Sequence, residues 1–178
     1  MPRPQSFQKD AITVAFMMRH LRETVGVEVA TVNDVDTAEE RTVTESTLHR
    51  PGLALAGYTD LFTHQRVQVL GNTESRYLNH LSTAERRDAF ENLVQFPVPC
   101  IVLTDGNALD ETQVAQATDA GIPVYCTPLP TVQFMSSLRG FLADQFAPQR
   151  AVHGSLVDVY GIGLLLIGKS GIGKSEVA

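Results

Sequence analysis

Several features that would place this chain in another class are missing from its 178 residues. No apolar run approaches the ~20 residues that a membrane-spanning helix needs, and the N-terminus lacks the apolar segment of a secretory signal. The formal net charge is −6, and Lys and Arg are scattered, whereas nucleic-acid binding relies on clustered cations. We therefore expect a cytoplasmic globular protein whose partner is neither a membrane nor a nucleic acid.

Cysteine is scarce, and the spacings of metal ligands are absent. Cys100 and Cys126 each lie in an apolar, strand-like stretch, where a free thiol usually packs as a small hydrophobic side chain. The five histidines show no H-x-x-x-H spacing and the cysteines no C-x-x-C spacing, so no zinc site is predicted. The 43% of apolar residues are enough to bury an ordinary core.

The clearest motif is a phosphate-binding loop at residues 168–175. The pattern G-x-x-x-x-G-K-[ST] is complete there, directly after the apolar run 164–167, which is the strand that such a loop must leave. Glycines let successive N–H groups approach phosphate oxygens, and a helix N-terminus adds partial positive charge. The residues predicted to bind the nucleotide are Gly168, Lys169, Ser170, Gly171, Ile172, Gly173, Lys174 and Ser175.

Two side chains of this loop have specific predicted roles. Lys174 would lie between the β and γ phosphates of ATP, and the Ser175 hydroxyl would coordinate Mg²⁺. Only a few residues follow the loop, whereas an isolated helix needs about 12–15 residues to be even marginally stable. We therefore expect residues 1–178 alone to bind ATP weakly or not at all.

Periodicity and capping signals predict the elements of the first half. A helix over 13–24 with Thr13 as N-cap is followed by strand-like pieces at 27–32, 41–44 and 54–56, and by a strand at 65–70. Thr73 is predicted to cap a helix that reaches residue 81. The capping box from Ser82 to Glu85 starts the next helix, which runs to about residue 95.

Helices and strands alternate regularly in the second half. Strands at 99–103 and 122–126 flank a helix over 111–120 with Asp110 as N-cap, an arrangement that favours a parallel βαβ unit. This places the loop 104–106 at a carboxyl edge, where α/β sheets commonly bind ligands. Asp105-Gly106 is nevertheless more typical of a plain turn, and we favour that interpretation.

A long helix then begins at Thr131, and its core stripe is predicted to be Val132, Met135, Leu138, Leu142 and Phe146. Strands at 153–159 and 164–167 form a hairpin that leads into the phosphate-binding loop. The sequence therefore predicts an α/β fold: a small N-terminal α/β domain with a partly parallel sheet over 1–148, then the opening β-hairpin and P-loop of an incomplete second domain, a P-loop kinase domain, over 149–178.

Five segments of the sequence resemble a known family, the bifunctional HPr kinase/phosphorylase of bacteria. The resemblance covers nearly the whole chain, from about residue 12 to residue 178. It is carried by 50–58 (RPGLALAGY), 68–74 (QVLGNTE), 152–154 (VHG), 156–161 (LVDVYG) and 168–176 (GKSGIGKSE). Together these segments are far more specific than the phosphate-binding loop alone.

The resemblance implies an ATP-dependent protein serine kinase that acts on the phosphocarrier protein HPr. The resemblance also implies that the enzyme removes that phosphate by phosphorolysis, giving pyrophosphate. It further implies a hexamer whose active sites lie in the C-terminal domains. Lys174 and His153 match two active-site positions, and Ser175 matches the hydroxyl that contacts magnesium. Lys169 departs from the family, which usually has an acidic or small polar residue there.

The resemblance also implies parts that would follow residue 178. These are the acidic proton acceptor, the second metal ligand and the region that docks HPr. We therefore expect the enzyme activity to belong to a longer protein and residues 1–178 to be inactive alone.

Two other hypotheses remain open. In the first hypothesis, residues 1–148 form a regulatory, ligand-binding or assembly module without catalysis. The segment 50–58 and the Asp105 loop would then line a ligand crevice. In the second hypothesis, the chain comes from an unrelated P-loop NTPase. Such a protein would carry, downstream, a metal-binding carboxylate of another type than the HPr kinase/phosphorylase family has.

Overall fold

The structure, a computed structural model, describes residues 6–152, 154–168 and 171. It forms two compact units, one of residues 9–146 and one that combines the residues up to 8 with those from 147 onward. Within the described residues, none of the helices has both the length and the apolar character that crossing a bilayer requires.

Eleven strands and six α-helices are present in the described residues. The strands are β1 (Ser6–Phe7), β2 (Ile12–Thr13), β3 (Ala30–Thr31), β4 (Thr42–Val43), β5 (Leu48–His49), β6 (Val67–Leu70), β7 (Ile101–Leu103), β8 (Val124–Cys126), β9 (Gln149–Arg150), β10 (Gly154–Val159) and β11 (Ile162–Ile167). The helices are α1 (Val14–His20), α2 (Gly52–Leu55), α3 (Asn72–His80), α4 (Thr83–Val94), α5 (Glu111–Asp119) and α6 (Thr131–Gln145). A π-helical turn (Leu21–Val25) continues α1, and a 3-10 turn (Asp36–Glu39) precedes β4.

A five-stranded sheet in the order β3-β8-β7-β6-β5 forms the centre of the larger unit. Strands β5 to β8 are parallel to their neighbours, and β3 joins β8 antiparallel at one edge. This partly parallel sheet confirms the predicted α/β class. Because β6 and β7 are parallel, their carboxyl ends meet at one edge, and the connections to α3 and α5 begin there.

Apolar side chains of the sheet alternate between two cores, as the period of two along a strand requires. Val69 and Val102 belong to the core that includes α1 and α6. Leu70 and Leu103 belong to the core that includes α2, α4 and α5. Helices thus cover both faces of the sheet, which explains why its strands are continuously apolar.

Several helix ends confirm the sequence-based predictions because their signals are local. The Ser82 backbone N–H donates to Glu85 Oε2 at 3.0 Å, which closes the predicted capping box of α4. The Asp110 carboxylate accepts from the Gln113 N–H at 2.9 Å at the start of α5. Thr13 Oγ1 accepts from the Phe16 N–H at 3.1 Å, as expected for the N-cap of α1.

The prediction of a strand at 54–56 is wrong, because Ala54 and Leu55 belong to helix α2 and Ala56 is its C-cap. Ala54 and Leu55 are 2% and 1% exposed and pack into the core beside α4. Pro51 precedes the helix, where its fixed φ is compatible with a helical start. A run of three apolar residues has no periodicity that separates a helix from a strand, so the tertiary contacts decide.

The predicted N-cap of α3 is also wrong. The cap is Gly71, and its backbone N–H donates to Glu74 Oε2 at 3.0 Å. Thr73 lies inside the first turn. The carboxylate at the third helical position therefore replaces the side-chain cap that was assigned to Thr73.

The core stripe of α6 is rotated from the predicted one. Val132 is 81% exposed, whereas Phe134 and Phe141 are buried with Leu138 and Leu142. Two patterns with helical spacing overlap in this segment, and the larger phenylalanine side chains occupy the core. Met135 and Phe146 are only partly buried, at the margin of the same core.

The smaller unit consists of two antiparallel strand pairs. Strand β1 pairs with β9, and β10 pairs with β11 from Gly154–Ile167 to Val159–Ile162. Tyr160 and Gly161 connect β10 and β11 with φ values of 53° and 81°, the positive range that two-residue hairpin turns require. Asp158 Oδ1 accepts from the Gly161 N–H at 2.9 Å, and the predicted hairpin is confirmed for its described residues.

Candidate functional site

The hairpin ends where the phosphate-binding loop was predicted to begin. Strand β11 stops at Ile167, and Gly168 follows it directly. Gly171 has a φ of +80°, a conformation that glycine adopts without a Cβ clash. A strand that leads into a glycine of this conformation is compatible with a backbone cradle for phosphate oxygens.

The remaining predicted site residues lie outside the described residues. They are His153, Lys169, Ser170, Ile172, Gly173, Lys174 and Ser175. Their assignment to catalysis, nucleotide binding and magnesium binding therefore stays a prediction.

Gly154 shows why the strand next to His153 needs a glycine. A Cβ at Gly154 would lie 2.7 Å from the Leu166 carbonyl oxygen on the paired strand. The two backbones approach too closely for any side chain at this point. The glycine of the Val152-His153-Gly154 segment is thus explained by strand packing alone.

In the larger unit, polar residues gather at the carboxyl edge of β6 and β7. The Asp105 carboxylate accepts from the backbone N–H of Thr131 at 3.2 Å and from its hydroxyl at 2.6 Å, at the start of α6. The Thr104 hydroxyl also donates to it at 3.2 Å. These hydrogen bonds, first of all the one from the Thr131 hydroxyl, hold the pKa of Asp105 below its ordinary value.

A second carboxylate fills the start of α3. Glu74 is 4% exposed, and its Oε2 accepts from the Gly71 N–H at 3.0 Å and from Arg50 Nη2 at 2.6 Å. A side chain on Gly71 would collide with the Thr131 hydroxyl, so the two helix starts approach each other closely. We call Arg50, Gly71, Glu74, Asp105 and Thr131 the edge brace.

The edge brace uses the groups that an anion would otherwise bind. The N-termini of α3 and α6 attract negative charge, and the protein's own carboxylates already occupy them. Asp105 and Gly106 both have positive φ, at 59° and 69°, which is compatible with the preferred interpretation of a tight turn. The geometry therefore supports a structural role for this edge.

The segment 50–58 lines a small pocket that does not include Asp105. Its walls also contain His49, Leu61 and Phe62, and it encloses about 60 Å³. Ligand pockets of proteins usually measure about 300–1,000 Å³, so this cavity admits a single small group and not a whole metabolite. This pocket does not combine segment 50–58 with the Asp105 loop, and a crevice shared by the two stays a prediction.

The two cysteines are free thiols, as expected from the sequence. Cys100 is fully buried, and burial raises the pKa of its thiol far above the ordinary value. Cys126 is partly buried. Among the residues that the structure describes, no cluster of His, Cys, Asp or Glu has an arrangement that could hold a metal ion.

Comparison with known proteins decides the family. The model of the "HPr Serine kinase N terminus" matches residues 12–142, which is most of the chain. The chain belongs to the HPr serine kinase family. The model of the "HPr Serine kinase C-terminal domain" matches residues 144–178, the part that contains the hairpin and the predicted phosphate-binding loop.

Curated members of the HPr serine kinase family are similar along nearly the whole chain. The HPr kinase/phosphorylase of Chloroherpeton thalassium is 49% identical over 176 residues, which are 99% of this chain and 52% of the relative. That of Chlorobium limicola is 50% identical over 174 residues, or 98% of this chain and 52% of the relative. The chain thus spans about half the length of the curated relatives it matches.

One solved structure shows a weaker likeness. It contains the CBS and DRTGG domains of the regulatory region of a Clostridium perfringens pyrophosphatase, complexed with the activator diadenosine tetraphosphate. The match covers 81% of this chain and 56% of the other, with 14% identity and a TM-score of 0.45. At this level it supports no argument about the family member described here.

Sequence reasoning missed the edge brace of this HPr serine kinase family member. Glu74 lies three residues after Gly71, a spacing that signals a capping box when the first residue is read as the N-cap. The pairs Arg50–Glu74 and Asp105–Thr131 are 24 and 26 residues apart, so no local pattern predicts them.

Proposed function

We propose that this chain is part of an HPr kinase/phosphorylase, an enzyme that transfers a phosphoryl group from ATP to a serine of HPr. The same enzyme would remove that phosphate by phosphorolysis and release pyrophosphate. The observation that carries the proposal is 49% identity to an HPr kinase/phosphorylase along 99% of the chain. The phosphate-binding pattern directly after β11 is consistent with it.

Each residue of the loop has a role in this proposal. Residues Gly168 to Ser175 would bind the phosphates of ATP, with Lys174 between the β and γ phosphates and Ser175 on Mg²⁺. The strand end at Ile167 and the positive φ of Gly171 fit such a loop. Lys169 would add a second positive charge beside the phosphates.

Phosphoryl transfer needs positioning and charge neutralisation more than covalent chemistry. Lys174 would neutralise negative charge, and Mg²⁺ would polarise the phosphate oxygens when it is bound. His153 would lie within reach of a phosphate oxygen or the attacking group. Its imidazole is suited to this position because it changes its charge near neutral pH.

The domain organisation belongs to the same proposal. Residues 1–148 would form the N-terminal domain and residues 149–178 the start of the catalytic domain. The first described residues, 6–8, group with the residues from 147 onward, because β1 pairs with β9. We further propose a hexamer, HPr as the protein partner and a cytoplasmic location.

A protein of the relatives' length is proposed as the active form. The curated relatives are about twice as long as this chain, and we propose that residues 1–178 are inactive alone. A phosphate-binding loop needs the helix that follows it, since that helix supplies the N–H groups and the partial charge.

Calorimetry with ATP and Mg²⁺ tests the predicted site. A protein of the relatives' length should bind ATP, and Lys174→Ala should weaken binding by at least about tenfold because a charge-assisted contact contributes roughly 1.5–3 kcal/mol. Lys9→Ala is a matched control, since Lys9 lies in the larger unit and donates to Gln145 at 2.6 Å. Equal binding by the wild type and Lys174→Ala would refute the assignment of Lys174.

A binding or assembly module is the second candidate function, for residues 1–148. The compact unit of residues 9–146 has its own two apolar cores, which favours independent folding. Residues 1–148 should then self-associate or show a thermal shift with a metabolite. A stable monomer without a shift across a metabolite panel would count against this candidate.

A further inference from the structure

Helices α2, α3 and α4 surround an open groove on one face of the central sheet. It measures about 300 Å³, which is the lower end of the usual range for ligand pockets. We call it the α3–α4 groove. Its lining includes Tyr77, Leu81, Glu85, Asp88, Ala89 and Asn92. Apolar and aromatic side chains thus lie beside two carboxylates of α4.

The two carboxylates of the groove keep their negative charge. Glu85 and Asp88 are exposed, and neither makes an ion pair with a lysine or an arginine among the residues that the structure describes. Hydrogen bonds from Ser82, and after them the charge of His80, hold the pKa of Glu85 below its ordinary value. The rim of the groove is therefore acidic at neutral pH.

The arginines of α4 are directed elsewhere. Arg86 donates to Asp110 Oδ2 at 3.1 Å, at the start of α5. Arg87 is one residue from Asp88 and two from Glu85, so a helical turn of 3.6 residues places it on another side of α4. The acidic rim is therefore open to a cation from a binding partner.

Helix α6 presents a complementary face to solvent. Val132 and Arg139 are exposed and lie seven residues apart, which is two helical turns, and exposed Ser136 lies between them on the same side. Together with Met135 they line one recess. We call these four residues the α6 stripe. Within the described part of the chain Arg139 makes no ion pair, so the stripe combines apolar area with an uncompensated positive charge.

The stripe matches the groove in length and in charge. Val132 to Arg139 spans about 10 Å along the helix axis, and the wall of the groove from Glu85 to Asn92 also covers seven residues. A helix that binds in a groove is anchored by side chains at this kind of spacing. Arg139 beside Asp88 would leave the apolar end of the stripe for the apolar side chains of the groove.

The two surfaces lie on opposite faces of the sheet. Helix α6 packs in the core that contains Val69 and Val102, whereas α3 and α4 pack in the core that contains Leu70 and Leu103. One copy can therefore offer its stripe to one neighbour and its groove to another. A contact between two different surfaces is heterologous, so it continues into a ring or an open chain and does not stop at a two-fold dimer.

We propose that the α6 stripe of one copy of this chain binds in the α3–α4 groove of a second copy, with Arg139 paired to Asp88 and Glu85. The proposal rests on the assembly role proposed for residues 1–148 and adds which surfaces meet. The occupant is a second copy because one chain carries both members of the complementary pair. Two turns of helix bury less area than a standard interface, so we expect a dissociation constant on the order of 10 μM.

Sedimentation velocity of the whole chain between about 1 μM and 1 mM tests the association. The sedimentation coefficient should rise with concentration, and the rise should shrink at high ionic strength because salt screens the ion pairs. A chain that stays monomeric throughout would overturn both the contact and the assembly role. The groove would then be left to a basic helix of another protein.

Charge reversal on either surface should weaken the association at least about tenfold, because like charges then face each other. Arg139→Glu changes the stripe, and Asp88→Lys changes the groove. Arg87→Glu, at an exposed position on another side of α4, is the matched control and should associate as the wild type does. Self-association that neither reversal weakens would use another surface, and this result would overturn the contact alone.

A mixture of the two reversed chains shows whether the contact joins different surfaces. The Arg139→Glu chain keeps an intact groove and the Asp88→Lys chain an intact stripe, so together they can form one contact of wild-type composition. The mixture should therefore give mixed dimers at a concentration where neither chain associates alone. Both positions are exposed, and thermal melts of each chain should match the wild type. A mixture that associates no better than its components would contradict the proposal.

Discussion

Gly71 lies where β6 ends and α3 begins, and the space beside it is filled by three other residues. A Cβ there would collide with the Thr131 hydroxyl and would lie 3.4 Å from both Arg50 Nη2 and Thr104 Oγ1. The Thr131 hydroxyl cannot move freely, because it also bonds to Asp105 and Thr104. A single missing side chain thus permits the contact between the starts of α3 and α6.

Gly71→Ala should therefore lower the free energy of unfolding by about 1–3 kcal/mol, the usual cost of overpacking. Urea unfolding followed by circular dichroism measures this change. Gly140→Ala is the matched control, because no atom lies within 4 Å of its built Cβ and it is inside α6. That control should be neutral or more stable by up to about 1 kcal/mol. Equal effects of the two substitutions would contradict the close contact at Gly71.

Asp105 makes the stability of the edge brace depend on pH. Its pKa in the folded protein lies below the ordinary value of 3.8, so the charged carboxylate stabilises the fold above that value. The stabilisation is lost as the pH falls from about 3.8 through the lower pKa of the folded state. Acid conditions should therefore weaken the link between the 104–106 turn and α6.

Asp105→Asn should lower the melting temperature at pH 7, and the difference from the wild type should shrink in acid below pH 3.8. Thermal melts between pH 2 and pH 7 measure this difference in melting temperature. That range covers the pH values at which carboxyl groups ordinarily titrate. Asp144→Asn, at an exposed position of α6, is the control and should follow the wild-type profile. A constant difference between Asp105→Asn and the wild type at every pH would show that the charge is not involved.

At the scale of helices and strands, the elements with local signals were predictable. Ser82 with Glu85, and Asp110 with Gln113, bond across three residues, so the sequence contains the whole interaction. The parallel βαβ unit around α5 followed from two apolar runs separated by one helix. Such elements need no tertiary information.

Elements that depend on distant packing were not predictable in the same way. Ala54 and Leu55 are helical and not part of a strand because they enter the core beside α4, which lies about thirty residues further along the chain. In α6, Val132 and Phe134 both have neighbours at helical spacing, so the pattern alone fits two faces. The structure selects the face with Phe134 and Phe141.

Two substitutions in α6 test the observed face. Phe134→Ala should cost about 3–5 kcal/mol, because it removes a fully buried ring and leaves a cavity. Val132→Ala, at a side chain that is 81% exposed, should change the stability by less than about 0.5 kcal/mol. Denaturant unfolding distinguishes the two, and a large cost at Val132 with a small one at Phe134 would restore the stripe predicted from the sequence.

At the scale of the whole molecule, the two compact units differ in what the sequence could reveal. The predicted phosphate-binding loop is a short motif, and the hairpin that precedes it was predicted and is confirmed in the described residues. The edge brace of the larger unit joins Arg50 to Glu74 and Asp105 to Thr131, so only the fold brings it together. A contiguous motif could be recognised from its order along the chain, whereas a brace assembled from distant turns could not.

The central claim is that this chain contributes the phosphate-binding loop of an enzyme that phosphorylates HPr. Mass spectrometry of HPr after incubation with ATP, Mg²⁺ and a protein of the relatives' length tests it most directly. We predict a phosphoserine on HPr, formed at least about a hundredfold more slowly by Lys174→Ala, since one lost charge-stabilising group typically costs that much. Lys9→Ala should retain the wild-type rate. An HPr that stays unmodified by the wild-type protein, or a Lys174→Ala variant with the wild-type rate, would contradict the account.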